Sequence, residues 1–287
     1  MLKIDFLNVG KGNCTIIKFP SEKITIIDID NSKIDDENDI LQDPIDFLDK
    51  KYPEKEIFRF ILTHPDMDHM SGIDELFSTR KVYNFWDTEH DKELDTKTDD
   101  FGPYNTDDWT TYQNIRESKE NPKALKLYRD AISKCCWTQD NIQILSPSSN
   151  LTMLSKETNE GNSDKYNHIS YVLRIEYLGI VILLGGDATK AAWQDIYDYY
   201  NSKNKLNLLK ADIFLAPHHG SKNNINEEVF DYINPDYVVV SVHRGKDYAY
   251  DYYNKLANKQ VYSTKYHGNI SVEISNKNAT ITPEKNG

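Results

Sequence analysis

The chain has 287 residues, 38% of them hydrophobic, enough to bury a sizeable core in one large domain or two small ones. Its formal net charge of -12 excludes strong nonspecific attraction to a phosphate backbone, which depends on many lysines and arginines displacing counterions. Only Cys14, Cys135 and Cys136 are present, and adjacent cysteines rarely bridge, so no disulfide framework follows. The N-terminus lacks the basic and apolar regions of a signal peptide, and the longest apolar run, Ile180 to Leu184, falls far short of the roughly 20 residues of a membrane span, so a cytoplasmic chain without membrane contact is expected.

The first thirty residues run in short β-branched bursts, KIDFLNV, CTIIKF and ITIID, separated by GKGN and PSEK, and predict three strands. Pro44 opens a predicted helix that ends at Lys51. EIFRFILT then reads as a buried strand whose carboxyl end delivers THPDMDHMSG into a loop. Residues 80–166 are acidic and poor in aliphatics, and are expected to form a surface insertion within a single domain spanning 1–287. Behind Pro122, the spacing of Leu125, Tyr128, Ile132 and Cys135 predicts a helix with one buried stripe, with Lys119, Lys123 and Lys126 facing water. HISYVLRIEYLGIVILLGGD predicts a hairpin around Leu178 and Gly179, and strands follow in ADIFLAP, DYVVVSV and ISVEIS. Helices are expected at 190–200, 226–233 and 248–256. Strands in two blocks with helices between and after suggest two packed sheets covered by helices.

Four metal-capable side chains, His64, Asp66, Asp68 and His69, fall within six positions. Imidazole nitrogen and carboxylate oxygen suit zinc, manganese or iron, and the alternating backbone of a loop lets His64 and Asp66 point one way while Asp68 and His69 reach another. Two adjacent ions need more donors, and later strand ends supply them in Asp187, His218, His219 and His168. GKGN lacks the third glycine and helix of a dinucleotide fingerprint and reads as a tight turn. The tyrosines of YAYDYY could stack on bases, but at helical spacing they read rather as packing residues.

Taken in order, FLNVGKGNCTII, IIDID, THPDMDH, NHISYVL, LLGGD and PHHGS resemble the metallo-β-lactamase fold, and within it the hydrolase domain of ComEC-type DNA-uptake proteins and its stand-alone relatives. The resemblance implies a four-layer αββα sandwich with two divalent ions, zinc or manganese, along one edge. Carried over by motif, His64 and Asp66 would hold the first ion with His168 as its third ligand. Asp68, His69 and His218 would hold the second, Asp187 would bridge, and Asp28 of IIDID would support the site from behind. The commonest pattern of the fold has His where this chain has Asp66, and the family's glycine-flanked His after VVSV has no clear counterpart here.

The expected activity is hydrolysis of a phosphodiester in a nucleic acid or nucleotide, because two divalent ions leave a net positive centre and lower the pKa of bound water to about 7. Asp68 would orient the nucleophile, His219 or Lys222 would stabilise developing charge, and Ser221 and His267 would lie on the substrate side. The alternatives are a carbonyl-directed hydrolase and a non-enzymatic, metal-stabilised module of a defence or DNA-processing assembly, with the acidic insertion as docking surface for a protein partner.

Overall fold

The computed structural model describes residues 1–34, 40–131, 140–158 and 164–286. Its strands run β1 (Leu2–Phe6), β2 (Thr15–Lys18), β3 (Ile24–Ile27), β4 (Ile29–Asp30), β5 (Ile57–Ile61), β6 (Met70–Ser71), β7 (Val82–Asp87) and β8 (Lys123–Lys126). The later strands are β9 (Ile142–Ser146), β10 (Val172–Tyr177), β11 (Ile180–Leu184), β12 (Ile213–Leu215), β13 (Tyr237–Val240), β14 (Gln260–Ser263), β15 (Ile270–Ser275) and β16 (Asn278–Pro283). The helices are α1 (Pro44–Lys51), α2 (Ile73–Thr79), α3 (Thr106–Ile115), α4 (Ser149–Glu157), α5 (Lys190–Ser202), α6 (Glu227–Ile233), α7 (Tyr250–Leu256) and α8 (Thr264–His267).

Two large sheets result. One has the order β16-β15-β1-β2-β3-β5-β7-β8, the other β14-β13-β12-β11-β10-β9, and β4 pairs with β6 in a short ribbon. Side chains that alternate along a strand serve opposite faces. On β12, Ile213 and Leu215 point into the layer between the sheets, while Phe214 packs on the helix side. Val239 and its neighbours Val238 and Val240 divide in the same way on β13. Across the molecule this produces three apolar layers. The middle one joins Leu2, Ile4, Ile27 and Ile61 of the first sheet to Leu173, Ile182 and Leu215 of the second. The outer ones pack α5, α6 and α7 on the second sheet and α1, α2 and α3 on the first, which is the αββα order.

Local chemistry explains several boundaries. Asp43 caps α1 by accepting from the amides of Ile45 and Asp46 at 2.9 and 3.1 Å, with Pro44 where no donor is needed. The β10–β11 hairpin turns on Leu178 and Gly179, both at positive φ, as a two-residue turn of that hand requires.

Two expectations are corrected. The segment 80–166 is not merely surface: β7 and β8 extend the first sheet, β9 edges the second, and Trp86, Trp109 and Tyr112 are buried. Residues 123–126, expected to be helical, form β8 parallel to β7, because pairing with the open edge of β7 satisfies their backbone groups and sets Leu125 against the middle layer. Residues 127–131, Tyr128 among them, form a turn and not a helix, while Ile132 and Cys135 of that expected helix, and Cys136, lie outside the described residues. Among the described residues no helix is long and apolar enough to cross a membrane.

Candidate metal centre

The parallel strands of both sheets discharge their carboxyl ends toward one edge. β3 leads to Asp28, β5 to His64, β11 to Asp187 and β12 to His218 and His219. Ligands in open parallel sheets collect at such edges. Asp66, Asp68 and His69 follow from β5 through a single 3-10 turn over Met67–His69.

His69 stands at the middle. Its Nε2 lies 3.5 Å from Asp187 Oδ2 and 3.9 Å from Asp68 Oδ2, and it is buried with no hydrogen-bond partner. A buried ring nitrogen left unpaired is costly unless something electron-poor meets it. His219 Nε2 lies 3.5 Å from the same Asp187 oxygen and 3.8 Å from Asp68 Oδ2. Two groups of three can each surround an ion: His64, His69 and Asp187, and Asp68, His69 and His219. His69 is common to both, so its single inward nitrogen can serve only one group at a time, and one oxygen of Asp187 faces rings from each. The donor set, nitrogen and carboxylate oxygen converging on an unpartnered buried nitrogen, fits a divalent transition ion.

The supporting bonds fix which ring nitrogen faces inward. His69 Nδ1 donates to Asp28 Oδ2 at 2.8 Å, and Asp28 also accepts from the Thr63 amide and hydroxyl at 2.7 and 2.8 Å. His219 Nδ1 donates to the carbonyl of Ser241 at 3.1 Å. Each ring thereby turns its Nε2 inward, where a bound cation would take the place of a proton, as in metal-binding histidines.

Charge is concentrated here. Burial disfavours the His69 cation, but the fields of Asp187, Asp28 and Asp68 outweigh it and hold the imidazole well above its ordinary pKa. Burial likewise disfavours the Asp187 anion, yet His69 and His219 beside it hold its carboxyl well below the usual range. Burial pushes His219 down to about 4. Behind the loop, Asp30 accepts from the amides of Gly12 and Ser32, both at 2.9 Å, and burial raises it to about 6.

The remaining expected residues are distributed as follows. Asp66 Oδ2 sits 3.3 Å from His64 Nε2, outside both groups of three but beside the first. His218, expected to complete the second ion, keeps its Nε2 4.0 Å from Asp187 Oδ2, and its Nδ1 meets Asn224 Nδ2 at 2.5 Å; His219 takes the inner place. His168 belongs to neither group: its Nδ1 pairs with Thr189 Oγ1 at 2.6 Å. The cause is the 3-10 turn over Asn167–Ile169, in which successive side chains diverge by about a third of a turn. Asn167, not His168, faces inward, with Nδ2 3.4 Å from His218 Nδ1 and a buried, unpartnered Oδ1. Ser221 links two 3-10 turns, Lys222 is exposed, and the His267 ring bonds within its own turn to the backbone of Ser263.

Other residues at the centre were not marked by sequence. Lys92 Nζ donates to Asp66 Oδ1 at 2.6 Å and to the carbonyl of Pro65 at 2.7 Å. Burial would raise the Asp66 pKa, but His64 and then Lys92 hold it well below the carboxylate range. Tyr104 also feels the centre: burial, then Asp68, Asp30 and Asp66, push its hydroxyl well above its ordinary value. Asn13 donates to Asp187 Oδ1 at 3.4 Å. Lys92 and Tyr104 belong to no motif, because each arrives by tertiary folding, whereas Asn13 closes the GKGN turn.

No family model and no curated protein sequence matches the chain. Among solved structures, the metallo-β-lactamase fold protein YhfI from Bacillus subtilis superposes with a TM-score of 0.53 at 11% identity, over 92% of this chain and 97% of that one. The chain has the metallo-β-lactamase fold. CmlA, a diiron β-hydroxylase from Streptomyces venezuelae, gives a TM-score of 0.49 at 11% identity over 94% of this chain and 54% of its own. Zn²⁺-bound PqqB from Methylobacterium extorquens gives 0.40 at 8% identity, over 75% and 70%. At 11% identity the likeness to YhfI shows the fold alone, and the finer resemblance to ComEC-type hydrolases rests on the motifs alone.

Proposed function

We propose that this chain is a dimetal hydrolase acting on phosphodiesters in nucleotides or short nucleic-acid strands. The observation that carries the reading is the convergence of Asp68, Asp187 and His219 on the unpartnered Nε2 of His69, with His64 closing the other side. The one free lone pair of His69 can serve only one ion, so His64 and Asp187, with Asp66 beside them, would hold the first. Asp68, His69 and His219 would hold the other. Such ions, when bound, neutralise phosphoryl charge and make water acidic enough to serve as nucleophile near neutral pH.

The chain's own residues divide the remaining work. Asp68, whose side chain is 29% exposed, is open enough to orient an incoming water. Asp28 and Ser241 hold the rings of His69 and His219 in their binding tautomers. Lys222 lines a cleft of about 850 Å³ that also carries Lys190, Tyr248, Tyr250 and Tyr252, and none of the residues of the two groups of three is in its wall. Its lysines suit a phosphate and its tyrosine rings suit a base, although Glu227, Glu228 and Asp251 share the lining and disfavour a long polyanion. The choice of a small phosphodiester rather than a carbonyl substrate is supported by Asp66, which departs from the commonest lactamase pattern.

The test is a substrate panel with the purified chain in added Mn²⁺ or Zn²⁺: bis-p-nitrophenyl phosphate and a dinucleotide against nitrocefin, a lactone and a thioester. Metal-dependent cleavage of the phosphodiesters, lost in Asp187→Ala, is expected. Hydrolysis confined to the carbonyl compounds would overturn the substrate assignment.

A further inference from the structure

Asp66 is a carboxylate with two different neighbours. Oδ2 turns to His64 Nε2 at 3.3 Å, and Oδ1 is held by Lys92 Nζ at 2.6 Å. The same ammonium reaches the carbonyl of Pro65 at 2.7 Å, so it spans two consecutive residues of the loop that carries four of the candidate ligands. Its side chain is only 16% exposed, with Tyr166 presenting its ring 5.1 Å from Nζ. A lysine so confined has lost most of its rotamer freedom and points one way.

The backbone behind Lys92 is equally fixed. Its amide donates to His90 Nδ1 at 3.0 Å, and His90 Nε2 meets the hydroxyl of Tyr112, which donates to the buried Asp87 at 3.0 and 3.1 Å. One assignment of protons satisfies every member. His90 is neutral with its proton on Nε2, its Nδ1 accepts from the Lys92 amide, and the Tyr112 hydroxyl accepts from Nε2–H and donates to Asp87. Around this chain, Glu89 pairs with Lys156 at 2.6 Å and Asp91 with Lys165 at 2.9 Å, tying residues 89–91 to α4 and to the segment just before Asn167.

We propose that Lys92 is a positioning residue of the metal centre: it holds the outer oxygen of Asp66 so that the inner oxygen stays aimed beside His64, and it offsets the extra negative charge that Asp66 brings. The role rests on the metal centre read above and not on any substrate. It gives residues 87–92 a share in metal binding, although they lie in the part of the chain that reads as an acidic surface segment. Two contacts of hydrogen-bond length from one half-buried ammonium to adjacent residues are more than a solvated lysine makes by chance.

The experiment is metal titration, by competition with a chromophoric chelator and by metal content after dialysis, on wild type, Lys92→Met and Lys92→Arg. Methionine keeps the stem under Tyr166 and removes the ammonium; arginine restores the charge. Lys92→Met is expected to bind one of the two ions about 10- to 100-fold more weakly while retaining the other, and Lys92→Arg to recover most of the loss. Circular dichroism and thermal unfolding in chelator establish that the variants are folded. Two ions bound by Lys92→Met as tightly as by wild type would overturn the positioning role and leave the metal centre standing. No metal bound by wild type would overturn both.

Discussion

Asp28 never meets the inward nitrogen of His69, yet it decides how that ring is presented. Its backbone is left-handed, with φ of 56°, and its two oxygens take three hydrogen bonds from Thr63 and His69. Replacing it by alanine frees the ring to rotate and exchange tautomers, and should weaken metal affinity about 10- to 100-fold, measured by competition titration. Gly12 makes a different demand. A methyl group there would lie 1.8 Å from the carbonyl oxygen of Asp68 and 2.6 Å from Asp30 Cβ, both parts of the centre's wall. Gly12→Ala should therefore cost about 1–3 kcal/mol in urea unfolding and displace the Asp68 loop; an unchanged midpoint would show the wall to be softer than drawn. His64, Asp66, Asp68 and His69 were legible because all four share one short loop. Lys92 was not, since a lysine in an acidic stretch carries no mark until folding brings it across 26 residues to Asp66. His168 was misjudged for a related reason: adjacent residues of a 3-10 turn face apart, and sequence alone does not say which of Asn167 and His168 turns inward.

Elements with two buried faces announced themselves, and elements with one did not. IVILL and YVVV are apolar throughout because each lies between a helix layer and a sheet. KALK of β8 and NATITP of β16 lie at sheet edges with half-covered or exposed faces, so their patterns are weak and the first was read as helix. The carboxyl end of β7 also governs response to acid. His90 is lowered to about 2, first by burial and then by Arg116, Lys92 and Lys126, with Asp66 opposing. An unfolded histidine titrates near 6.5, so between about pH 6.5 and 2 the unfolded chain binds a proton that the folded one refuses. The stability owed to neutral His90 is present above pH 6.5 and drains as pH falls. Asp87, raised by burial to about 6, acts in the opposite direction below that pH but is common to both proteins in a comparison of wild type with His90→Gln. Urea midpoints at pH 7.5 and 5 should fall more for wild type than for the variant, and equal slopes would refute the assignment of a neutral buried ring.

At the scale of the molecule, the centre draws on both sheets. Asp28, His64 and His69 follow strands of the first, and Asp187 and His219 follow strands of the second. Metal should accordingly stabilise the whole fold, because an ion bound only by the folded chain contributes about 2.7 kcal/mol when present at 100 times its dissociation constant. Dialysis against chelator is expected to lower the melting temperature by several degrees, with recovery on adding Mn²⁺ or Zn²⁺; a melting temperature indifferent to metal would count against ion binding. The two-sheet architecture itself was legible from the two blocks of strands, whereas the entry of residues 80–166 into both sheets was not, because acidic composition conceals the buried Trp86, Trp109 and Tyr112. A bond with one foot in each layer also has a mechanical meaning. If the chain were stretched from attachment points on β5 and β12, the ions would act as rivets across a seam, and a pulling experiment should find that seam parting at lower force once the rivets are withdrawn.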